Sequence, residues 1–293
     1  MRTNKEKLVQ MSVQGTVANP GHRRHYGVDA EGIPFLLPGT GGIVYNVKVG
    51  DNAFGWAADH LEPCVSTILD EKNKYEYPNS GYHFYSCIGN TAKIVSNDAK
   101  GDTGIVTGHH GGAEHIIIDF SDETLEKMRL DDKILIKGYG QGLKLLDYPD
   151  IHLFNLDPEL LEKWGILEKD GKLEIPVKLI IPGMLMGSGV GSTSMGTGDY
   201  DIMTADKKMV KKYKLDTLCF GDFVAIKDHC NIYGRTYYKN AITIGIIIHA
   251  DCHWAGHGPG VTTLISTKKS KLIVPKIDEN ANIGKILKIG RYR

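Results

Sequence analysis

No stretch of the 293 residues stays apolar for the roughly 18 residues that a bilayer crossing needs, and the opening MRTNKEKLVQ lacks the apolar centre of a secretion signal. The chain is therefore expected to be soluble and cytoplasmic, with no membrane partner. Net charge is missing too: 35 lysines and arginines stand against 35 aspartates and glutamates. Without a long-range field to attract nucleic acid, the partners expected are a small-molecule substrate or ligand and further copies of the chain in a homo-oligomer. Cysteine is scarce, five residues with no CxxC pair, which excludes a disulfide framework and leaves reduced, buried thiols.

Several catalytic signatures are also absent. There is no GxSxG elbow, and HADCH is not HExxH, so the serine-hydrolase and zincin readings fall away. The glycines of residues 187–201 are followed by no Gly-Lys-Thr/Ser, and no GxGxxG occurs, which removes the P-loop and the dinucleotide fingerprint.

Glycine is abundant, at 35 residues, about 12% of the chain against a usual value of roughly 7%. Short β-branched and aromatic runs alternate with Gly, Asp and Asn, the pattern of successive hairpins. A doubly wound sheet would need a long helix after nearly every strand, and few helices are visible. The fold class expected is mainly β, with glycine-rich barrel-like or sandwich-like strands and a few short helices. One such helix is Pro158–Trp164, with Asp157 as cap and Gly165 as stop; others are SDETLEKM and ADKKMVKKYKL. A boundary near residue 170 divides a β-rich N-terminal domain, 1–170, from a β-rich C-terminal domain, 171–293, which carries the GSGVGSTSMGTGDYD and HADCHWAGHGPG loops.

Candidate chemistry concentrates in Gly245–Val261, GIIIHADCHWAGHGPGV. If the apolar strand continues to residue 253, His249, Asp251 and His253 project to one face, with Cys252 on the other. With His257 they form a candidate ligand set for a divalent ion such as zinc, iron or manganese. The alternative for these histidines is a hydrogen-bonded, structural role at a turn. Cys252 and His253 make a nucleophile and base only if the loop folds them together.

Asp228 and His229 in VAIKDHC are candidate proton-handling residues, one expected to face a site and the other the wall, and Asp251 is a third candidate catalytic group. Ser192, Thr193, Asp199 and Asp201 in the 187–201 loop are candidate substrate contacts, with turn capping as the alternative for the aspartates. Of His109 and His110, flanked by glycines, only one is expected at a site, and His109 is taken as a substrate contact. His60 and Glu62, at i,i+2, would share one strand face as a ligand pair, although a surface position is the simpler expectation.

The strings GNTAKIVSNDAKGDTGIVTGHHGG, HLFNLDPELL, GSGVGSTSMGTGDYDI, LCFGDFVAIKDH and ITIGIIIHADCHWAGHGPGVTTLI together resemble a prokaryotic family defined by a domain of unknown function, number 4438. The resemblance runs from about residue 15 to 265. It implies a mostly β N-terminal part and a distinct C-terminal part, and it brings no activity with it. A more distant likeness is to the acetamidase/formamidase family, where GIIIHAD keeps only His249-Ala250 of a GDxHA-like string. The function expected is a metal-assisted hydrolase of small amides or related polar metabolites. The alternative is a non-catalytic small-molecule-binding or structural oligomeric protein.

Overall fold

The computed structural model describes residues 1–21, 26–69, 77–111, 114–190 and 194–293. The fold is mainly β, as the alternating apolar runs imply. Six antiparallel strands close a barrel in the order Met11–Val17, Val65–Ile68, His115–Asp119, Thr103–His110, Thr91–Ile94 and Lys133–Gly138, which pairs back onto the first. Closure removes the open edges that would otherwise template aggregation. The barrel core is branched aliphatic, with Val65, Ile94, Val106, Ile116, Ile118, Ile134 and Ile136 all buried.

The Tyr77–Tyr85 helix was not expected from a stretch rich in aromatics, glycine and polar turn formers. Pro78 suits a first turn, and the helix is held by packing. Tyr82 is buried against Gly15, where a Cβ would lie 2.6 Å from its ring, and its hydroxyl pairs with Thr67 at 2.7 Å.

The second large sheet has seven strands. Leu179–Pro182, Phe223–Cys230, Thr236–Ile247, Gly260–Thr267, Tyr200–Ile202 and Met186–Val190 lie in that order, and His152–Leu153 adds onto Gly260–Thr267. A three-stranded sheet of Leu167–Lys169, Lys172–Val177 and Ile273–Ile277 flanks it. The expected helices form over Asp122–Leu125, Pro158–Lys163 and Lys207–Lys212, and the side chains of Ser121, Asp157 and Asp206 cap them. Among the described residues no helix is long and apolar enough to cross a membrane.

The barrel and the larger sheet meet along one seam. The Thr262 hydroxyl accepts the His109 N–H at 3.1 Å and donates to the His109 carbonyl at 3.0 Å. Gly108 lies so close to Ile248 that a Cβ there would be 2.7 Å from the Ile248 Cβ. Past Ile247 the chain leaves its sheet: the N–H groups of Ala250 and Asp251 donate to the carbonyls of Leu61 and Ala53, at 2.9 and 2.8 Å. The strand therefore does not continue to residue 253, because the backbone groups that would extend the ladder bond to the N-terminal half.

Candidate metal centre

Both halves deliver imidazoles and carboxylates to this seam. From the N-terminal half come Asp59, His60 and Glu62, in the loop before Val65–Ile68, with His110 and His115 at facing ends of two paired barrel strands. From the C-terminal half come Asp199 and Asp201 at the Tyr200–Ile202 strand, His249 just past Thr236–Ile247, and His257 in the following turn. Strand alternation directs Asp199 and Asp201 to the seam and turns Tyr200 away, where its ring stacks on His229 with centroids 5.1 Å apart.

Hydrogen bonds orient the rings. Nδ1 of His249 donates to the Ala250 carbonyl at 2.8 Å, Nδ1 of His60 to Oδ2 of Asp59 at 3.0 Å, and Nδ1 of His110 to Oε1 of Glu62 at 2.5 Å. Each Nδ1–H is engaged, so Nε2 is the nitrogen each ring has left to offer. His115 shares the Glu62 carboxylate, 2.9 Å from both oxygens.

The imidazoles crowd one another, with centroids 4.4 Å apart for His110 and His249 and 5.1 Å for His60 with each of His249 and His257. Nε2 of His249 lies 3.1 Å from Oδ2 of Asp199 and 3.5 Å from Oδ1 of Asp201. Neither contact has hydrogen-bond geometry, so His249 Nε2 and Asp199 Oδ2 are both buried without a hydrogen-bond partner. Among the described residues, four groups of three donors lie close enough to share an ion: His60, Cys252 and His257; His60, Asp201 and His249; Glu62, His110 and His115; and His110, Asp199 and His249.

The electrostatics demand positive charge. Asp59, Glu62, Asp199 and Asp201 are all buried, and among the described residues their ion-pair partners are histidines, with no lysine or arginine. Burial alone would push the His249 imidazole down, but Asp199 and Asp201 more than reverse this and hold it well above the ordinary histidine range. Burial lowers His60 and outweighs the upward pull of Asp59. Burial would raise Glu62, yet His115 and His110 keep it well below the usual carboxylate range. Four carboxylates out of water are costly unless cations offset them, and of the imidazoles facing them His249 and His110 are held above the ordinary range.

Close packing keeps other groups out. A Cβ on Gly260 would fall 2.1 Å from Asp199 Oδ2 and 2.3 Å from His249 Nε2, so only glycine fits. His257 is the opening to solvent, its side chain 31% exposed where that of His249 is 0% exposed.

The residues named from sequence fall on both sides of this boundary. Asp199, Asp201, His249 and His257 enter the cluster. Asp251 sits beside it, its carboxylate taken by the Thr204 hydroxyl at 2.5 Å and the Cys252 N–H at 2.9 Å. His253 is exposed, packed 5.0 Å from the Phe35 ring, and contributes only a backbone N–H to Asp59. The shared face of residues 249, 251 and 253 does not form, because the strand has already ended.

Cys252 donates to Asp59 at 3.2 Å, and burial followed by Asp59 pushes its thiol far above the usual value, which does not suit a nucleophile. Asp228 stands at a bulge with φ 57°, accepting the Asn240 N–H at 2.8 Å, and His229 bonds Thr243 at 3.1 Å behind Tyr200. Neither reaches the cluster. His109 points the other way from its neighbour, to the Ser86 carbonyl at 2.5 Å, so His110 is the member of that pair at the seam. Ser192 and Thr193 lie outside the described residues.

His60 and Glu62 are buried, contrary to the surface position expected. Asp59 was missed, and its position next to His60 and close to Glu62 in ADHLE is the signal that could have found it.

Two family models match nearly the whole chain: the N-terminal domain of unknown function DUF4438 over residues 26–162 and its C-terminal counterpart over residues 163–287. The chain belongs to the DUF4438 family. A solved structure described as "Crystal structure of TM1086" is 47% identical, with 97% of this chain and 98% of that chain covered and a TM-score of 0.91. The curated proteins gave no match. The cluster draws on both DUF4438 domains, with His60, Glu62, His110 and His115 in the first and Asp199, Asp201, His249 and His257 in the second.

Proposed function

We propose that this DUF4438 protein is a metal-assisted hydrolase of small amides or related polar metabolites, with its centre at the seam. One observation carries the reading: three imidazoles have Nδ1–H tied to a carbonyl or carboxylate, and a buried, unpartnered His249 Nε2 faces an equally unpartnered Asp199 oxygen. Imidazole nitrogens and carboxylate oxygens backed in this way suit zinc, iron or manganese. His110, Asp199 and His249 would hold the ion, which when bound supplies Lewis acidity toward a carbonyl and lowers the pKa of water.

The chain's own groups do the rest. Glu62 fixes His110 and His115 through one carboxylate, and His115 is the member of that trio partly open to solvent. The Gly256–Gly260 turn packs on Gly187, where a Cβ would lie 1.9 Å from the Gly256 carbonyl oxygen, so the start of the glycine-rich 187–201 segment borders the open side at His257. A small polar substrate would enter there.

Elemental analysis of untagged protein, paired with hydrolysis assays on a panel of short amides, tests the reading. Bound metal together with turnover that a chelator abolishes is the expected result. Failure to retain or bind any ion, with no hydrolysis, would overturn it.

A second reading, a binding or structural protein, is favoured by how fully Glu62 is used in tying loops: it also accepts from Gly41 N–H at 2.7 Å and Ser66 Oγ at 2.5 Å. Under that reading, His249→Ala abolishes folding while no amide is turned over by the wild type.

A further inference from the structure

We propose that the seam holds two divalent cations bridged by the carboxylate of Asp201. The inference rests on the metal reading above and specifies how many ions there are and how the donors divide between them.

The division follows from Asp201. Its Oδ1 faces His249 Nε2 at 3.5 Å, whereas its Oδ2 faces Nδ1 of His257 at 3.0 Å and Nε2 of His60 at 3.7 Å. The two oxygens of one buried carboxylate therefore address two different sets of imidazoles. On one side stand His110, His249 and Asp199; on the other stand His60 and His257, whose facing nitrogens are 3.2 Å apart. His249 belongs with the first set because its contact to Asp199, at 3.1 Å, is the shorter of its two.

The spacings suit ligands of an ion. Bonds of about 2.0–2.1 Å to a tetrahedral first-row cation place neighbouring donors roughly 3.3 Å apart. The separations lie near that value: 3.5 Å on the Oδ1 side of Asp201, and 3.0, 3.2 and 3.7 Å among Oδ2, His257 and His60 on the other. One pair of facing nitrogens at such a distance can share a proton as a hydrogen bond. Asp201 has a ring nitrogen from each set within reach of its own oxygens: Oδ2 takes a hydrogen bond from His257 Nδ1 at 3.0 Å and from the Gly258 N–H at 3.3 Å, whereas Oδ1 faces His249 Nε2 with no hydrogen bond to account for the approach.

Charge leads to the same number. Asp59, Glu62, Asp199 and Asp201 carry four negative charges out of water with no lysine or arginine ion-paired to them among the described residues. One divalent ion leaves half of that uncompensated; two match it while every histidine stays neutral and free to ligate. The outer groups also fall into two sets: Glu62 backs His110, and Asp59 backs His60 while accepting from the Cys252 thiol. Two ions sharing a carboxylate, about 3.5–4 Å apart, form the kind of clamp that holds both the attacked carbonyl oxygen and the attacking water of a hydrolytic step.

The test is a count of ions in the full chain. Chelator-stripped protein is titrated with Co2+ or Zn2+ alone by calorimetry, and the bound metal is measured after gel filtration. Two equivalents per chain are expected, falling to one in His257→Asn and in His60→Gln, with wild-type circular dichroism. Because His257 is partly exposed, its variant keeps the test valid even if His60→Gln fails to fold. Mn2+-loaded wild type should give the electron paramagnetic resonance spectrum of a coupled pair, and His257→Asn that of an isolated ion.

A single equivalent in the wild type, or two equivalents retained by His257→Asn, overturns the bridged pair. Hydrolysis with one bound ion would overturn this inference and leave the hydrolase reading standing. Two bound ions without hydrolysis would do the reverse, and no binding at all would remove both.

Discussion

Nδ1 of His110 and Oε1 of Glu62 lie 2.5 Å apart, and the same carboxylate also accepts from His115. The bond fixes which His110 nitrogen faces the seam and makes the ring a better donor. Outer groups of this kind typically contribute about 10–100-fold to metal affinity. Glu62→Gln is accordingly expected to weaken metal binding by roughly that factor while the protein remains folded, as calorimetric titration would register. Unchanged affinity would show that the carboxylate acts only on the loops it ties together.

Gly260 offers a test by steric intrusion. Gly260→Ala places a methyl group within 2.1 Å of Asp199 Oδ2 and 2.3 Å of His249 Nε2, so both donors must shift. Overpacking of this sort costs about 1–3 kcal/mol. A lower thermal midpoint and loss of bound metal are expected together, and a variant that keeps its full metal content would contradict the placement of these two donors.

His253 and His249 are four residues apart and should behave oppositely. His253→Ala removes an exposed ring whose contact is with Phe35, and it leaves the backbone bond to Asp59 in place. Its effect on stability should stay within about 0.5 kcal/mol, with metal content unchanged. His249→Ala should lose the ion held with Asp199. Equal losses in the two variants would count against the cluster as drawn.

His229 predicts a pH dependence of folding that is separate from the metal. Burial, aided by Arg235, pulls its imidazole down from the ordinary 6.5 to about 4. A lowered folded-state value means that the unfolded chain takes up the proton first. The stabilisation is therefore complete above about pH 6.5 and is lost progressively as pH falls toward about 4. The difference amounts to roughly 3 kcal/mol from this one residue. Urea denaturation at pH 7 and pH 4.5 should show a smaller drop for His229→Gln than for the wild type; identical drops would reject the assignment.

Much of the architecture was legible because its signals are local. The strands announced themselves through β-branched runs between turn residues, and the Pro158–Lys163 helix through its Asp157 cap. The Tyr77–Tyr85 helix was illegible because tertiary burial of Tyr82 and His83, and not propensity, sustains it. At the site, Asp199, Asp201, His249 and His257 stood out by residue type beside glycines. The choice of His109 over His110 failed for a reason alternation cannot cure: it separates the two faces of a strand without saying which one meets the other domain. His60 and Glu62 passed for surface residues because their partners are distant in the chain: Asp201 and His257 meet His60 from 141 and 197 positions away, and His110 and His115 meet Glu62 from 48 and 53. The expected run of donors to residue 253 failed because Ala250 and Asp251 spend their N–H groups on the N-terminal half.

The seam between the two DUF4438 domains has a mechanical consequence. Each proposed ion draws donors from both sides of it, His110 with Asp199 and His249 for one and His60 with Asp201 and His257 for the other. An ion bound there acts as a latch, and linkage makes the latch reciprocal: whatever ion affinity adds to docking of the halves, docking adds to ion affinity. A substitution anywhere along the contact, such as one at Thr262 or Gly108 that touches no proposed ligand, should then alter how tightly the ions are held.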